Sequence, residues 1–323
     1  MQKRYIVNRI AQTILTLFVV FTLMWIIFRA IPGDPAAVFI SGRLTPEDIE
    51  ALRKLWGLND PLYVQYFKYM RNLLMGDFGM SFYYREPVKD VVVPRLTNTL
   101  MLMGPAMIMS ITIGSMTGSY IGWKTGSKRE KVGVTLALLA RSFPDYLTGI
   151  IGLMLFAHFL GIFPLGGMRT IGLISTSFWE SFLDVTHHLA LPLIVALIYY
   201  VGDVLMIART SILELVGEEF LEFAKVRGLG DTKVRRIAIR NAIIPVVTYA
   251  TVMIGFAFGG QVLLETVFSW PGIGRLMINS VTSHDYPVAQ ASFFIMAFWV
   301  IFLNLIVDLL YGYLDPRITS ARK

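Results

Sequence analysis

The chain has 323 residues, of which 55% are hydrophobic and 16% are charged, whereas soluble domains average about 45–50% apolar and about 25% charged residues. This composition is typical of an integral membrane protein, and the absence of cysteine excludes a disulfide framework, a thiolate metal site and a cysteine nucleophile. The net charge of +7 does not by itself indicate nucleic acid as a partner, because in a membrane protein the location of the basic residues carries the information.

Six segments are apolar over the roughly 20 residues that a bilayer crossing requires. They lie near residues 10–31, 97–122, 133–160, 188–208, 243–267 and 291–313. Basic residues collect at both termini and in the gaps after the second and fourth segments, while the gaps after the third and fifth hold only Arg169 and Arg275. Because basic residues are retained in the cytoplasm, both termini are expected on that side, and the first segment is expected to be an uncleaved anchor.

The chain divides into three parts by charge and hydropathy. Residues 1–31 form the N-terminus and first span, residues 32–95 form a small external cap, and residues 96–323 hold the other five spans. Within the cap, "TPEDIEALRKLWGL" predicts a helix that begins after Thr45 and ends at Gly57. The cap either fixes the first span or contacts a partner directly.

The second span carries Gly114, Gly118 and Gly122 at intervals of four residues. This spacing places small residues along one helix face and predicts that another helix packs closely against it.

Motifs for enzymatic chemistry are absent or poorly matched. "GWKTGSK" (residues 122–128) has the wrong spacing for a phosphate-binding loop and lacks a preceding strand. The four histidines lie near the external ends of spans, where interfacial positions are a better explanation than a metal site: His158, His187, His188 and His284. We therefore expect neither an enzyme nor a directly bound cofactor or metal.

Four ionisable residues fall within the spans, where burial of charge is costly and marks functional sites. Arg141 and Asp145 are four residues apart and are expected to pair along one helix. Asp308 lies near a cytoplasmic end, where we expect a local partner. Asp203 has no charged partner within one turn of its own helix, so we expect it to face a cavity or a partner subunit.

The cytoplasmic loop of residues 209–242 is the most charged stretch of the chain. Residues 217–227 place Phe220, Phe223 and Ala224 at helical spacing, and Gly228 and Gly230 then end the predicted helix. Asp231 is expected to cap a second helix. Helices that lie on lipid are usually basic on the polar face, whereas this one begins with glutamates, so we expect its aromatic face to dock into a protein groove.

Several stretches resemble the dipeptide/oligopeptide branch of ABC importer permeases. Glu222-Phe223-Ala224, followed by Gly228 after three residues, is similar to the E-A-A loop of these permeases, with Phe223 at an alanine position. The other matching stretches follow in the order of that branch: "IPGDPA" (31–36), "GDFGMSF" (76–82), "RTSILEL" (209–215), "ETVFSWPGIGRL" (265–276), "HDYPVAQ" (284–290) and "LIVDLLYGYLDPRI" (305–318).

The resemblance implies an all-α polytopic membrane protein of the type I ABC importer permease fold, with six transmembrane helices and a small external domain after the first. It implies a prokaryotic cell membrane, a second homologous permease, two ABC ATPases that carry ATP and magnesium, and a substrate-binding protein outside. The residues that it assigns to ATPase coupling are Glu219, Phe220, Glu222, Phe223, Ala224, Lys225, Arg227, Gly228, Leu229 and Gly230.

The sequence leaves several alternatives open. The same machinery imports nickel chelates or oligosaccharides in relatives of this branch, and an ion-coupled secondary carrier or a non-transporting scaffold would be a different class. Asp203, Arg141 and Asp145 are the candidates for lining a translocation path or a permease–permease interface. A carrier would need several mid-span carboxylates together with no ATPase partner, and the predicted docking helix argues against it.

Overall fold

The computed structural model describes residues 3–30, 47, 50, 59–173, 177–258 and 261–314. Of the external cap, the helix predicted across residues 45–57 therefore lies outside the described residues, apart from Glu47 and Glu50. The fold over the described ranges is helical, with an isolated antiparallel bridge between Met80 and Pro87. The chain is thus an all-α polytopic protein, as the sequence predicts.

The helices are numbered in chain order. They are α1 (Lys3–Ala30), α2 (Leu62–Leu74), α3 (Val88–Trp123), α4 (Lys128–Ser142), α5 (Asp145–Gly152), a π-helix (Leu153–Phe159), α6 (Phe178–Leu215), α7 (Glu219–Val226), α8 (Asp231–Phe258), α9 (Val262–Val267), α10 (Ile273–Thr282) and α11 (Tyr286–Leu314).

Five helices in the described ranges are long and apolar enough to cross a membrane, namely α1, α3, α6, α8 and α11. The third predicted span, residues 133–160, is not one helix. It is divided into α4, α5 and the π-helix, and only the stretch Asp145–Phe159 forms a shorter apolar helical segment. Five long helices and this shorter segment together approach the six predicted crossings. The prediction that the third span is one continuous helix was wrong.

The division between α4 and α5 occurs at Pro144. Proline has no backbone N–H and forces the preceding residue out of the helical region, and Phe143 accordingly adopts φ −104° and ψ 136°. A new helix begins at Asp145, whose Oδ1 accepts a hydrogen bond from the Tyr146 N–H at 2.8 Å. Arg141 and Asp145 consequently lie on different helices.

Helix α3 packs very closely against α6. A Cβ atom at Gly118 would lie 2.3 Å from the Leu205 carbonyl oxygen, and one at Gly114 would lie 2.7 Å from the Val204 Cβ. Gly122 continues the contact toward Arg209, whose carbonyl would be 2.9 Å from such a Cβ. The predicted close packing along the three glycines is confirmed, with α6 as the partner helix.

A buried carboxylate joins the start of α11 to the turn that precedes α3. Asp285 is fully buried and accepts hydrogen bonds from Ser81 Oγ at 2.5 Å and from the backbone N–H groups of Phe82 and Tyr83 at 3.1 and 3.2 Å. The stretches "GDFGMSF" and "HDYPVAQ", which are about 200 residues apart in sequence, thus form one structural unit.

A second buried carboxylate organises the stretch "ETVFSWPGIGRL" between α9 and α10. Glu265 accepts from Thr99 Oγ1 at 2.6 Å and from the Arg275 N–H at 3.0 Å, so it caps the N-terminus of α10 and ties it to α3. Gly272 is required at this turn because a Cβ there would lie 2.3 Å from the Glu265 carboxylate. Trp270, fully buried, adds a hydrogen bond from Nε1 to the Asn98 carbonyl at 2.9 Å.

The first helix packs against the last. Arg9 Nη1 lies 3.1 Å from Asp308 Oδ2, and the Tyr5 hydroxyl donates to the Asp308 carbonyl at 3.0 Å. The expected local partner for Asp308 was therefore wrong, because its partners come from α1. Further along the pair, Phe21 contacts Phe294 with ring centroids 4.2 Å apart. The N-terminus of α1 and the C-terminal part of α11 consequently lie at the same end of the molecule.

The glycine contact between α3 and α6 predicts a matched pair of substitutions in one helix. Gly118→Ala places a methyl group against the Leu205 carbonyl, and we expect it to destabilise the protein by about 1–3 kcal/mol through overpacking. Gly104→Ala, on the same helix, adds a methyl group where no other atom lies within 4 Å, and it should be neutral or stabilising by about 0.5–1 kcal/mol. The midpoint of thermal unfolding in detergent measures both, and equal midpoints would contradict the close contact.

Candidate functional site

The short helix α7 ends at a glycine in the left-handed conformation. Gly228 has φ +81°, its N–H donates to the Lys225 carbonyl at 2.9 Å, and the Leu229 N–H donates to the Ala224 carbonyl at 3.2 Å. This pair of hydrogen bonds is the Schellman motif, which satisfies carbonyls that a helix end otherwise leaves free. The predicted stop at Gly228 is confirmed.

Helix α7 has an inner and an outer face. Leu221 and Ala224, at a spacing of three, are 1% and 7% exposed, whereas Phe223 is 62% exposed and Phe220 is also exposed. The sequence-based grouping of Ala224 with the two phenylalanines was wrong, because Ala224 points into the protein. The aromatic pair alone forms the outward surface.

The inner face of α7 packs on the ends of the two long helices that flank it. The buried members of this cluster come from α6, α7 and α8: Ile212, Leu221, Ala224, Val234, Ala238 and Ala242. Trp123 at the end of α3 packs against the same cluster. The short helix is therefore anchored to three long helices rather than suspended from a loop.

The charged residues of α7 follow the direction of its dipole. Glu219 and Glu222 lie in the first turn and Lys225 in the last, which stabilises the helix from both ends. The Arg227 guanidinium lies 5.6 Å from the centroid of the Phe223 ring, a cation–π distance that holds the ring on the outer face.

The next helix begins at Asp231, although Asp231 does not cap it. The Gly230 carbonyl accepts the first two helical hydrogen bonds, from the N–H groups of Lys233 and Val234 at 2.9 and 3.2 Å. Gly230 is thus the N-cap position, and the Asp231 carboxylate accepts from Trp123 Nε1 at 3.4 Å. The role expected for Asp231 as a cap is corrected accordingly.

An ion pair connects α6 to the first turn of α4. Arg209 Nε donates to Glu130 Oε1 at 2.9 Å, its Nη2 contacts the same oxygen, and the Gly126 N–H donates to Glu130 Oε2 at 2.5 Å. These hydrogen bonds, first from Arg209 and then from Gly126, lower the pKa of the Glu130 carboxyl. The carboxylate is therefore ionised at neutral pH and ties the base of α6 to α4.

A second polar network crosses the helices at the position of Asp203. Arg141 Nη1 of α4 lies 3.0 Å from Asp203 Oδ1, and the Tyr249 hydroxyl of α8 donates to Asp203 Oδ2 at 2.8 Å. The expected pairing of Arg141 with Asp145 was wrong, since the break at Pro144 separates them and Arg141 turns to α6. Asp203 does have a charged partner, but it lies on another helix.

Two cavities meet at this network. The larger, about 730 Å³, is lined by residues of α1, α5, α6, α8 and α11 together with Gln261 and includes Asp145, Tyr199 and Tyr200. The smaller, about 490 Å³, lies toward α7 and includes Arg141 and Glu214. Asp203 and Tyr249 line both cavities, so their hydrogen bond lies at the boundary between them.

Comparisons with known proteins match nearly the whole chain. Residues 110–320 match the family described as "Binding-protein-dependent transport system inner membrane component", and residues 2–103 match the corresponding N-terminal family. The chain is 34% identical over 317 residues to "Oligopeptide transport system permease protein AppB" of Bacillus subtilis (strain 168), covering 97% of this chain and 98% of that protein. It is 32% identical over 315 residues to "Glutathione transport system permease protein GsiC" of Escherichia coli (strain K12), with the same coverage.

The chain belongs to the binding-protein-dependent transport permeases. It is an ABC importer permease of the dipeptide/oligopeptide type, with the type I permease fold and several membrane crossings in an inner membrane.

Several residues of this permease that hold the candidate sites together were not singled out from the sequence. Leu221 is buried on the inner face of α7, three residues before Ala224, and this spacing was available as a signal. Glu130 follows Ser127 at the spacing of a capping box, and the Glu130 N–H does donate to Ser127 Oγ at 3.2 Å. Tyr249 gave no local signal, because its partner is on another helix. No group of His, Asp and Glu suited to a metal ion occurs in the part of the permease that the structure describes.

The two faces of α7 predict opposite effects of truncation. Leu221→Ala removes a buried anchor, and we expect it to cost about 2–5 kcal/mol and to raise amide hydrogen exchange in Glu219–Val226 by at least about tenfold. Phe223→Ala removes an exposed ring and should leave that exchange almost unchanged in the isolated permease. Hydrogen exchange with mass spectrometry compares the two variants, and equal protection in both would show that α7 is not anchored through Leu221.

Proposed function

We propose that this permease pairs with a second homologous permease to form the membrane path for di- and oligopeptides that a substrate-binding protein delivers from outside. The observation that carries the proposal is the full-length similarity to permeases named for oligopeptide and glutathione transport in two different bacteria. Two separate ABC ATPases, which bind ATP and magnesium, supply the energy. The permease itself binds no cofactor.

Helix α7 is the proposed contact for one ATPase subunit. Its outer face offers Phe220 and Phe223 as anchors, and aromatic side chains are frequent hot spots of protein interfaces. Glu219, Glu222, Lys225 and Arg227 surround the two rings with charge, while Gly228, Leu229 and Gly230 fix the exit of the chain. Closure of the ATPases on ATP then moves α7, and the inner face transmits the movement to α6 and α8.

The two cavities are the proposed segments of the translocation path. They share Asp203 and Tyr249 in their linings, and the smaller one lies on the side of the proposed ATPase contact. In this proposal Asp203, with Arg141 and Tyr249, closes the neck of the path, and Asp145 lines the wider part. Both termini and α7 are cytoplasmic, and residues 32–95 face the substrate-binding protein.

The left-handed glycine of α7 gives the sharpest test of coupling. Gly228→Val forces a β-branched residue to φ +81° at a cost of about 1–2 kcal/mol and reshapes the end of the contact helix. We expect normal insertion and pairing, with loss of most receptor-stimulated ATP hydrolysis and of tri-alanine and glutathione uptake into proteoliposomes. Gly172→Val is the matched control, because Gly172 has the same φ of +81° and equally open surroundings in a loop outside α7.

That experiment tests two statements independently, namely the peptide cargo and the role of α7 in coupling. Uptake of neither peptide by the wild-type complex would contradict the proposed peptide cargo. Wild-type uptake with equal coupling in Gly228→Val and Gly172→Val would contradict the role of α7 while leaving the cargo in place.

The neck at Asp203 predicts a transport defect without a folding defect. Asp203→Asn removes the charge that holds Arg141 but preserves the shape and the hydrogen bond to Tyr249. The Arg141 head group borders the smaller cavity and is 62% exposed, whereas Asp203 is 13% exposed, so the substitution removes the more buried charge of the pair and should leave the fold intact. We expect the assembled complex to be recovered in normal amount, with uptake reduced severalfold.

The double variant Arg141→Gln/Asp203→Asn and its two single variants form a double-mutant cycle, with peptide uptake as the measured quantity. If the ion pair closes the neck, the two substitutions should not add, because each alone already removes the same interaction. Wild-type uptake by Asp203→Asn for every peptide tested would remove this residue from the path.

A further inference from the structure

The larger cavity contains two carboxylates in different electrostatic situations. Asp203, at the neck, is compensated by Arg141 and by the Tyr249 hydroxyl. Asp145 lies in the wide part of the cavity at the start of α5. No lysine, arginine or histidine is among the described residues that line this cavity. Asp145 is therefore a carboxylate without a cationic side chain opposite it among the described lining residues.

Asp145 has only local backbone partners in the described part of the chain, in the first turn of α5. Its Oδ1 accepts from the N–H of Tyr146 at 2.8 Å and its own N–H also contributes, while neither a side-chain hydrogen bond nor an ion pair reaches it. A carboxylate in apolar surroundings is unfavourable without a cationic or hydrogen-bonding partner. The missing partner is most simply a group that enters the cavity.

The rest of the lining suits an ammonium group attached to an apolar or amide body. Tyr199 and Tyr200 stand edge to face with ring centroids 5.1 Å apart, and the Gln261 amide donates to the Tyr200 hydroxyl. The α8 and α11 walls are apolar, with methionine, valine and phenylalanine side chains. A carboxylate next to aromatic rings is a common arrangement for binding organic ammonium ions.

We propose that the larger cavity is a binding site for an ammonium group of the cargo, with Asp145 as its counter-ion and Tyr199 and Tyr200 as the adjoining surface. This inference rests on the proposed function, because it names the charge of the group that the path accepts. The volume of about 730 Å³ lies within the roughly 300–1,000 Å³ range of small-molecule sites and accommodates a short peptide.

Direct binding to the complete complex without its substrate-binding protein tests the proposal. The permease, its sister permease and both ATPases are purified together in lipid nanodiscs, so that selection by the substrate-binding protein does not enter. The two probes are tri-alanine amide, which carries one ammonium group and no carboxylate, and N-acetyl-tri-alanine amide, which is neutral. We expect the wild-type complex to bind the cation at least about tenfold more tightly, because hydrogen bonds to charged groups are the stronger class.

Three variants locate the effect. Asp145→Asn should reduce the preference for the cationic probe to less than about twofold, and Asp145→Glu should restore most of it. Asp90→Asn is the matched control, because Asp90 is an exposed carboxylate in the first turn of α3 that does not line the cavity, and it should retain the wild-type preference. Recovery of the sister permease in each preparation verifies assembly.

The outcomes are distinguishable from those that bear on the proposed function. Equal binding of the two probes to the wild-type complex, or an undiminished preference in assembled Asp145→Asn, would overturn the ammonium site. The wild-type comparison requires no variant, so the proposal stays falsifiable even if Asp145→Asn does not assemble. Absence of ATP-driven peptide uptake when the substrate-binding protein is added back would overturn the proposed function and this inference with it. Uptake without probe preference would overturn this inference alone.

Discussion

The contact between α3 and α6 fixes the position of both candidate sites. At Gly118 the backbone of α6 occupies the space that a side chain would fill, so the two helices can neither rotate nor slide past each other without a collision. Helix α6 carries Tyr200 and Asp203 at the cavities and Arg209 near α7. Because these residues lie on one helix that is held so closely, the rise of α6 sets the spacing between the Asp203 network and the proposed ATPase contact.

The partners of each carboxylate in this apolar protein show which carboxylates hold the fold together. Glu130 is balanced by Arg209, and Asp308 by Arg9, and both pairs hold helix ends together. Glu265 and Asp285 are fully buried and accept hydrogen bonds from hydroxyl and backbone N–H groups. Asp145 differs from all four, since it faces a cavity and accepts only from backbone N–H groups at the start of α5. Its first-turn position favours the carboxylate, and the proposed ammonium group would add the ion pair that the described lining of the cavity does not supply.

Local chemistry in the sequence predicted the end of α7 and the glycine contact, because each depends on residues a few positions apart, whereas the class of protein was predicted from composition and from motifs spread along the whole chain. The sequence did not predict the break in the third span, although Pro144 lies at that position. A proline alone does not show where a helix ends, because four other prolines lie inside continuous helices: Pro94, Pro105, Pro192 and Pro245. The partners of Asp203 and the inward direction of Ala224 depend on how distant helices pack, for which one sequence gives no local signal.

Through the inner face of α7, a displacement at the proposed ATPase contact would reach the two cavities. Leu221 and Ala224 pack on Ile212 of α6 and on Val234 and Ala238 of α8, so a push on the outer phenylalanines acts on both long helices. The same two helices are joined at the neck by the hydrogen bond from Tyr249 to Asp203. Because the ends of α6 and α8 are closely packed, we expect them to move as rigid bodies rather than to deform. A change in the angle between the two helices then changes the distance between Tyr249 and Asp203. A shift of about 1 Å suffices to break a hydrogen bond. In the proposed mechanism, a movement of α7 therefore alters access between the cavities at the Asp203–Tyr249 contact.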